Sequence, residues 1–220
     1  MTERGILFSA PMVRALLDGT KTQTRRVMRA RDRVRDSNGE RVPSPYGVPG
    51  DRLWVRETWC QPNPMAREVV YRADIPAELL DEERQVRREV GSGAYAPWRP
   101  SIFMPRWASR ITLEVTDVRV QRVQDISESD AAAEGVPGLT GYAGWNVFTE
   151  GGGMYWRAGV EPVRGVEGVR DYVASTPLGA LSARERYASL WQDINGKRPG
   201  CAWRDNPYIW AITFGTLEGE

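Results

Sequence analysis

Histidine is absent from this 220-residue chain, and lysine occurs only twice, as Lys21 and Lys197, beside 28 arginines. Without histidine the commonest general base, the Ser-His-Asp arrangement and most zinc sites are excluded. Any catalysis must run on carboxylates, lysine, tyrosine, hydroxyls or a metal held by oxygens. Two cysteines, Cys60 and Cys201, lie far apart and form no CxxC, so we expect reduced thiols rather than a disulfide framework. No run approaches the roughly 18 to 20 apolar residues of a membrane span, and "MTERGILFSAP" has no signal-peptide pattern. The expectation is a cytoplasmic protein with no membrane partner.

What is present fits a soluble globular chain, 41% hydrophobic and 27% charged, long enough for one domain with insertions. Net charge is +1, but residues 1–41 carry ten basic and five acidic side chains. "RRVMRARDRVR" alone holds six arginines against one aspartate. Such a loop, at about 27–45, reads either as a phosphate-facing patch for RNA or as a solvated charged segment.

The scarce lysine stands in "LLDGTKTQTRRV". Ser9 suits an N-cap, Pro11 the first turn and Gly19 a left-handed C-terminal position, so "SAPMVRALLDG" predicts a helix with Met12, Val13, Leu16 and Leu17 inward. Lys21 then falls in a tight connection before a β-prone "TQTRRV". A lysine can lose its proton near neutral pH where burial and neighbouring cations depress its pKa, and an arginine cannot. Arg25 and Arg26 supply that positive charge. Lys21 thus reads as a base, or as the partner of a carboxylate at a helix end.

Further along, "PGDRLWVRETW" predicts a turn and a strand, "EVVYRAD" a short strand and "PAELLDEERQVRREV" an exposed helix. "RITLEVTDVRVQRV" is a long strand whose apolar phase shifts near Asp117, which implies a bulge. "SESDAAAEG" predicts a short helix from Ser127 to Gly135. Residues 137–180 are Gly-rich and read as an irregular insertion. "SARERYASLWQDING" predicts a helix with a Ser182–Glu185 capping box and Ala183, Tyr187, Leu190, Trp191 and Ile194 inward; "NPYIWAITF" predicts a buried strand. Trp54, Trp191 and Trp210 read as core, whereas Trp59, Trp107, Tyr142 and Trp156 lie where an aromatic ring can stack on a base. The class is α+β, a small β-barrel decorated with short helices.

These segments together resemble the ASCH-domain family, with its PUA-like barrel, in the long form found in phages and prophages. The resemblance touches most of residues 5–136 and 182–214. Small bacterial members of that family remove the acyl group from N4-acetylcytidine. Matching residue by residue, the resemblance implies catalytic roles for Lys21 as base, Thr24 as nucleophile and Glu134 beside them, with Arg26 binding substrate; Arg25 next to it is a further candidate for binding substrate. It implies a modified pyrimidine nucleoside or nucleotide as substrate and no metal or organic cofactor. Glu134 would hold the protonated lysine or pass a proton to the leaving amine; otherwise it is a solvent-facing residue at a helix end. Arg26 would stabilise an oxyanion or grip a phosphate; otherwise it pairs with Asp51 or Glu57. Other family members are associated with RNA, so an RNA-binding, even ribonucleolytic, module is the alternative. Lys21 and Thr24 converge only if Lys21 lies in the turn before the strand or the strand is bulged, because residues three apart on a strand face opposite sides.

Overall fold

The computed structural model describes residues 1–29, 43–62, 67–76, 79, 97–136 and 182–217, with the backbone alone of 144–148 and 154–158. Its centre is a five-stranded sheet. The strands are β1 (Glu3–Leu7), β2 (Gln23–Val27), β3 (Arg52–Arg56), β6 (Thr112–Arg122) and β9 (Tyr208–Leu217), in the order β1-β3-β6-β9-β2. Two short strands, β4 (Trp59–Cys60) and β5 (Val70–Tyr71), pair separately. The insertion at 137–180, expected to be irregular, contains a hairpin of β7 (Gly144–Phe148) and β8 (Met154–Ala158). The Arg-rich loop from residue 30 to 42 and almost all of the expected helix at 76–90 lie outside the described residues. So does Tyr142, while Trp156 falls in β8.

β6 and β9 form the longest ladder, and its register shifts between Val115 and Asp117, where the change in apolar phase implies a bulge. β9 is buried on both faces. Trp210, Ile212 and Phe214 join Ile6, Leu53, Val55, Leu113 and Val115 in one core beneath helix α1 (Ala10–Leu17). Ile209 and Ala211 face the other way, packing with Ala131 of helix α2 (Glu128–Ala133) and with Tyr187 and Trp191 of helix α3 (Ala183–Asn195). A central strand covered on both sides reads as a continuous apolar run, which is what "YIWAITF" is.

Most of the local helix signals hold, although Ser9, at the N-cap of α1, makes no side-chain capping hydrogen bond. Pro11 stands in the first turn of α1, Ser127 accepts from the Asp130 amide at the start of α2, and Ser182 and Glu185 cap α3 reciprocally. Two inward assignments fail. Leu17 is exposed at the last residue of α1 and Ala15 packs in its place; Ile194 is exposed and Asn195 takes the inward position, its amide on the Trp191 carbonyl. No described helix is long and apolar enough to cross a membrane.

The expected barrel is not closed. β1 and β2 are the outer strands of the sheet and share no ladder. The two edges meet instead through a side chain, Arg26 Nη2 donating to the Leu7 carbonyl at 2.6 Å. The demonstrated class is therefore mixed α+β with an open five-stranded sheet.

Two glycines fix the ends of α1 and α2. Gly19 and Gly135 have φ of +70° and +67°, a region costly for residues with a Cβ. Gly19 faces open space, but a Cβ on Gly135 would lie 2.7 Å from Lys21 Cβ and 3.0 Å from Ala15 Cβ. Gly135→Ala is thus expected to destabilise the fold clearly more than Gly19→Ala, whose cost is about 1–2 kcal/mol. Urea denaturation of the two variants side by side checks this, and equal losses would contradict the packing described.

Candidate active site at the start of strand β2

β2 begins at Gln23, so Lys21 precedes the strand, in a single bridge to Glu134. Its backbone is pinned between the two helix ends: the Lys21 amide donates to Ala15 O of α1, and the Thr22 amide to Ala133 O of α2. Within β2 the side chains alternate. Arg25 lies opposite Ala211 and faces α2 and α3, whereas Thr24 lies opposite Ile212 and Arg26 opposite Trp210, on the α1 side. Lys21 reaches the α1 side as well. Its Nζ lies 5.7 Å from the Phe8 ring centroid, and the Arg26 guanidinium stands 5.1 Å from the same ring.

Lys21 is buried and its ammonium is fully engaged. Nζ donates to Gln23 O at 2.8 Å, to Glu134 O at 2.8 Å and to Glu134 Oε2 at 2.7 Å. An ammonium has three N–H donors, and all three are committed. Burial lowers the Lys21 pKa, the Glu134 carboxylate opposes that shift by charge and hydrogen bond, and Arg26 and Arg25 push in the same direction as burial. The other Glu134 oxygen accepts from Arg25 Nη1 at 3.3 Å, while Arg25 Nη2 binds Asp130 at 2.9 Å. Two cations and two carboxylates thus tie the start of β2 to α2.

The structure therefore brings together Lys21, Glu134 and Arg25, and sets Thr24 and Arg26 on the neighbouring face of the same strand. Among the described residues Lys21 donates no hydrogen bond to Thr24. Arg26 pairs with neither Asp51 nor Glu57. Asp51 accepts the amides of Thr2 and Val48, and Glu57 is held by Arg110. Trp59, read as a ring placed to stack on a base, is buried, and Trp54, read as core, is half-buried.

Sequence reasoning missed four participants. Asp130 and Gln23 were not singled out; Gln23 Nε2 reaches Asp130 at 3.2 Å. Phe8 forms the apolar wall shared by Lys21 and Arg26. Tyr187, read only as core, stacks under Arg25 at 5.7 Å, and its phenol stands against Glu134. Burial first, then the negative charge of Glu134, holds Tyr187 neutral well above the usual tyrosine range. A buried tyrosine seeks a hydrogen-bond partner, and that was the available signal. Three polar atoms here are buried without a hydrogen-bond partner: Arg25 Nε, Arg26 Nε and Gln23 Oε1. Among the described residues no group of Cys, Asp or Glu side chains is arranged to hold a metal.

Comparison of the chain with protein-family models, with curated proteins and with solved structures finds no match.

Removing one member of a buried ion pair leaves an uncompensated charge, at a cost of about 3–5 kcal/mol. Glu134→Leu is expected to fall in that range by urea denaturation at neutral pH. Adding Lys21→Met to Glu134→Leu removes the orphaned ammonium and recovers part of the loss, a coupling that a double-mutant cycle reads. Purely additive losses would show that Lys21 and Glu134 are energetically independent.

Proposed function

We propose that the protein is a metal-independent amidohydrolase that removes an acyl group from the exocyclic nitrogen of a cytidine-type nucleoside or nucleotide. The observation that carries this reading is the buried Lys21–Glu134 contact at 2.7 Å, made across 113 residues of chain beside Thr24 and two arginines. The resemblance to the ASCH-domain amidohydrolases, with their PUA-like fold, supplies the chemistry; the Lys21–Glu134 contact supports it for two of the residues.

The resting lysine is an ammonium with no free lone pair. The first step passes one proton from Lys21 Nζ to Glu134 Oε2, over a single hydrogen bond. Burial and the two arginines favour the neutral amine, which opposes the pull of the carboxylate. The amine then turns from the Gln23 carbonyl toward Thr24 and takes the hydroxyl proton as Thr24 Oγ attacks the acyl carbon. The tetrahedral oxyanion meets Arg26, whose Nε is a buried donor without a protein acceptor. The Lys21 ammonium returns its proton to the departing exocyclic nitrogen, the C–N bond breaks, and Thr24 carries the acyl ester. Water then attacks the ester as the same lysine takes its proton and passes it to Thr24 Oγ; the C–O bond breaks, the carboxylic acid leaves, and Glu134 returns its proton to Lys21.

A binding module without hydrolysis is the second reading. The observation that favours it is the full engagement of the three Lys21 donors, which describes a structural ammonium as well as a stored base.

Incubation with N4-acetylcytidine, with release of cytidine as the readout, tests the proposal. Lys21→Arg keeps the charge and cannot accept the proton, so hydrolysis should fall by roughly a hundredfold or more, and Thr24→Val likewise. A Lys21→Arg protein within severalfold of wild type would remove the lysine from the mechanism. Because only neutral Lys21 accepts a proton, activity should fall as pH drops. The midpoint of that fall should lie below the ordinary lysine value of 10.5.

A further inference from the structure

A different surface of the molecule presents aromatic rings and arginines to solvent. Residues 99–108 make two tight turns, Ser101–Phe103 and Arg106–Ala108, each entered from a proline, Pro100 and Pro105. Met104 and Ala108 anchor the segment in a small core with Trp59. The residues between are thrust outward: Ile102 is 57% exposed, Phe103 69% and Trp107 51%. Pro-fixed turns with buried anchors hold these side chains in place before any partner arrives, which reduces the ordering cost of binding.

The same face carries guanidinium groups stacked against rings. Arg56 lies 5.2 Å from the Trp54 ring, and Arg99 lies 5.0 Å from Trp59, against which Trp107 packs edge-on. Neither Arg56 nor Arg99 has a carboxylate partner among the described residues. Gly5 of β1 leaves room for this arrangement, since a Cβ there would lie 2.8 Å from Arg56 Cδ and 3.0 Å from the Trp54 ring.

The face is continuous with the Lys21 site. Arg26 donates to the Leu7 carbonyl; Leu7, itself exposed, is the register partner of Arg56; and Arg56 Nη2 donates to the Ile102 carbonyl. A path of cationic and apolar groups thus runs from Arg26 and Leu7, past Arg56, to Phe103 and Trp107. Single-stranded nucleic acids are held by this chemistry, with aromatic rings under the bases and arginines along the phosphates.

We infer that the Arg56–Arg99–Phe103–Trp107 face binds single-stranded nucleic acid, as the flanking nucleotides of a base lodged at the Lys21 site. The direction of that path rests on the nucleoside reading of the Lys21 site; the binding surface itself does not. An acylated cytosine within a strand is then the substrate, and the free nucleoside is its minimal form.

The test uses the full chain and a fluorescein-labelled 12-residue single-stranded RNA rich in pyrimidines, followed by anisotropy at about 50 mM salt, alongside hydrolysis of free N4-acetylcytidine. Wild type should bind, and affinity should fall steeply with added salt through counterion release. Phe103→Ala should lose roughly tenfold in affinity, as should Trp107→Ala, and Arg99→Glu should lose affinity and flatten the salt dependence. Phe103 is the most exposed of these side chains, so its removal leaves the core intact if the Trp107 variant misfolds. Free-nucleoside hydrolysis should stay within twofold in all three variants.

Absence of RNA affinity in wild type would overturn the proposal, as would variants that bind like wild type. Self-association of the chain through this face without RNA binding would also overturn it, assigning the patch to a protein contact. RNA binding that depends on Phe103 without hydrolysis of the nucleoside would sustain the surface and remove the amidohydrolase reading.

Discussion

A lysine ammonium out of water, held by one carboxylate and two carbonyl oxygens, is the contact on which the rest of this architecture turns. Burying a charge is costly unless it is paired and fully hydrogen-bonded, and Lys21 meets both conditions only when α2 ends beside the first residues of β2. That requirement fixes the register between two segments more than a hundred residues apart. It also explains the close approach at Gly135, where Lys21 Cβ occupies the space a side chain would need. Arg25 and Asp130 extend the same logic along α2, and Tyr187 brings α3 against it.

This arrangement sets opposing tendencies against each other, with burial the largest. Burial and two arginines press Lys21 toward the neutral amine, and Glu134 presses it toward the ammonium. Ion pairs that serve only stability are often replaceable by well-packed apolar residues. Keeping an ionised lysine here, in a chain that uses arginine almost everywhere else, has a physical rationale when the proton itself moves. Arginine would hold the charge as well and would never release it.

Much of the local structure was legible. Gly19 announced a left-handed helix end, Gly135 a helix stop, the phase change near Asp117 a bulge, and Ser182 with Glu185 a capped helix; each rests on interactions within a few residues. The pairing of Lys21 with Glu134 was reachable only through the family resemblance, since nothing in the spacing of residues 21 and 134 links them. Asp130, Gln23 and Phe8 were missed because their roles depend on which face of β2 each neighbour takes, and that is settled by pairing with β9. The closure of the sheet was also beyond local reasoning. Whether β1 and β2 share a ladder depends on how helix α1 spans them, and here a side chain, Arg26, makes the contact.

The scarcity of lysine also makes the central claim directly measurable. Selective 15N labelling of lysine yields two side-chain ammonium signals, one from exposed Lys197 and one from Lys21. Followed across pH by NMR, the Lys21 signal should be protected from exchange with water and should lose its proton below the ordinary 10.5. A Lys21 ammonium that exchanges as fast as that of Lys197 and titrates at the ordinary lysine value would contradict the account.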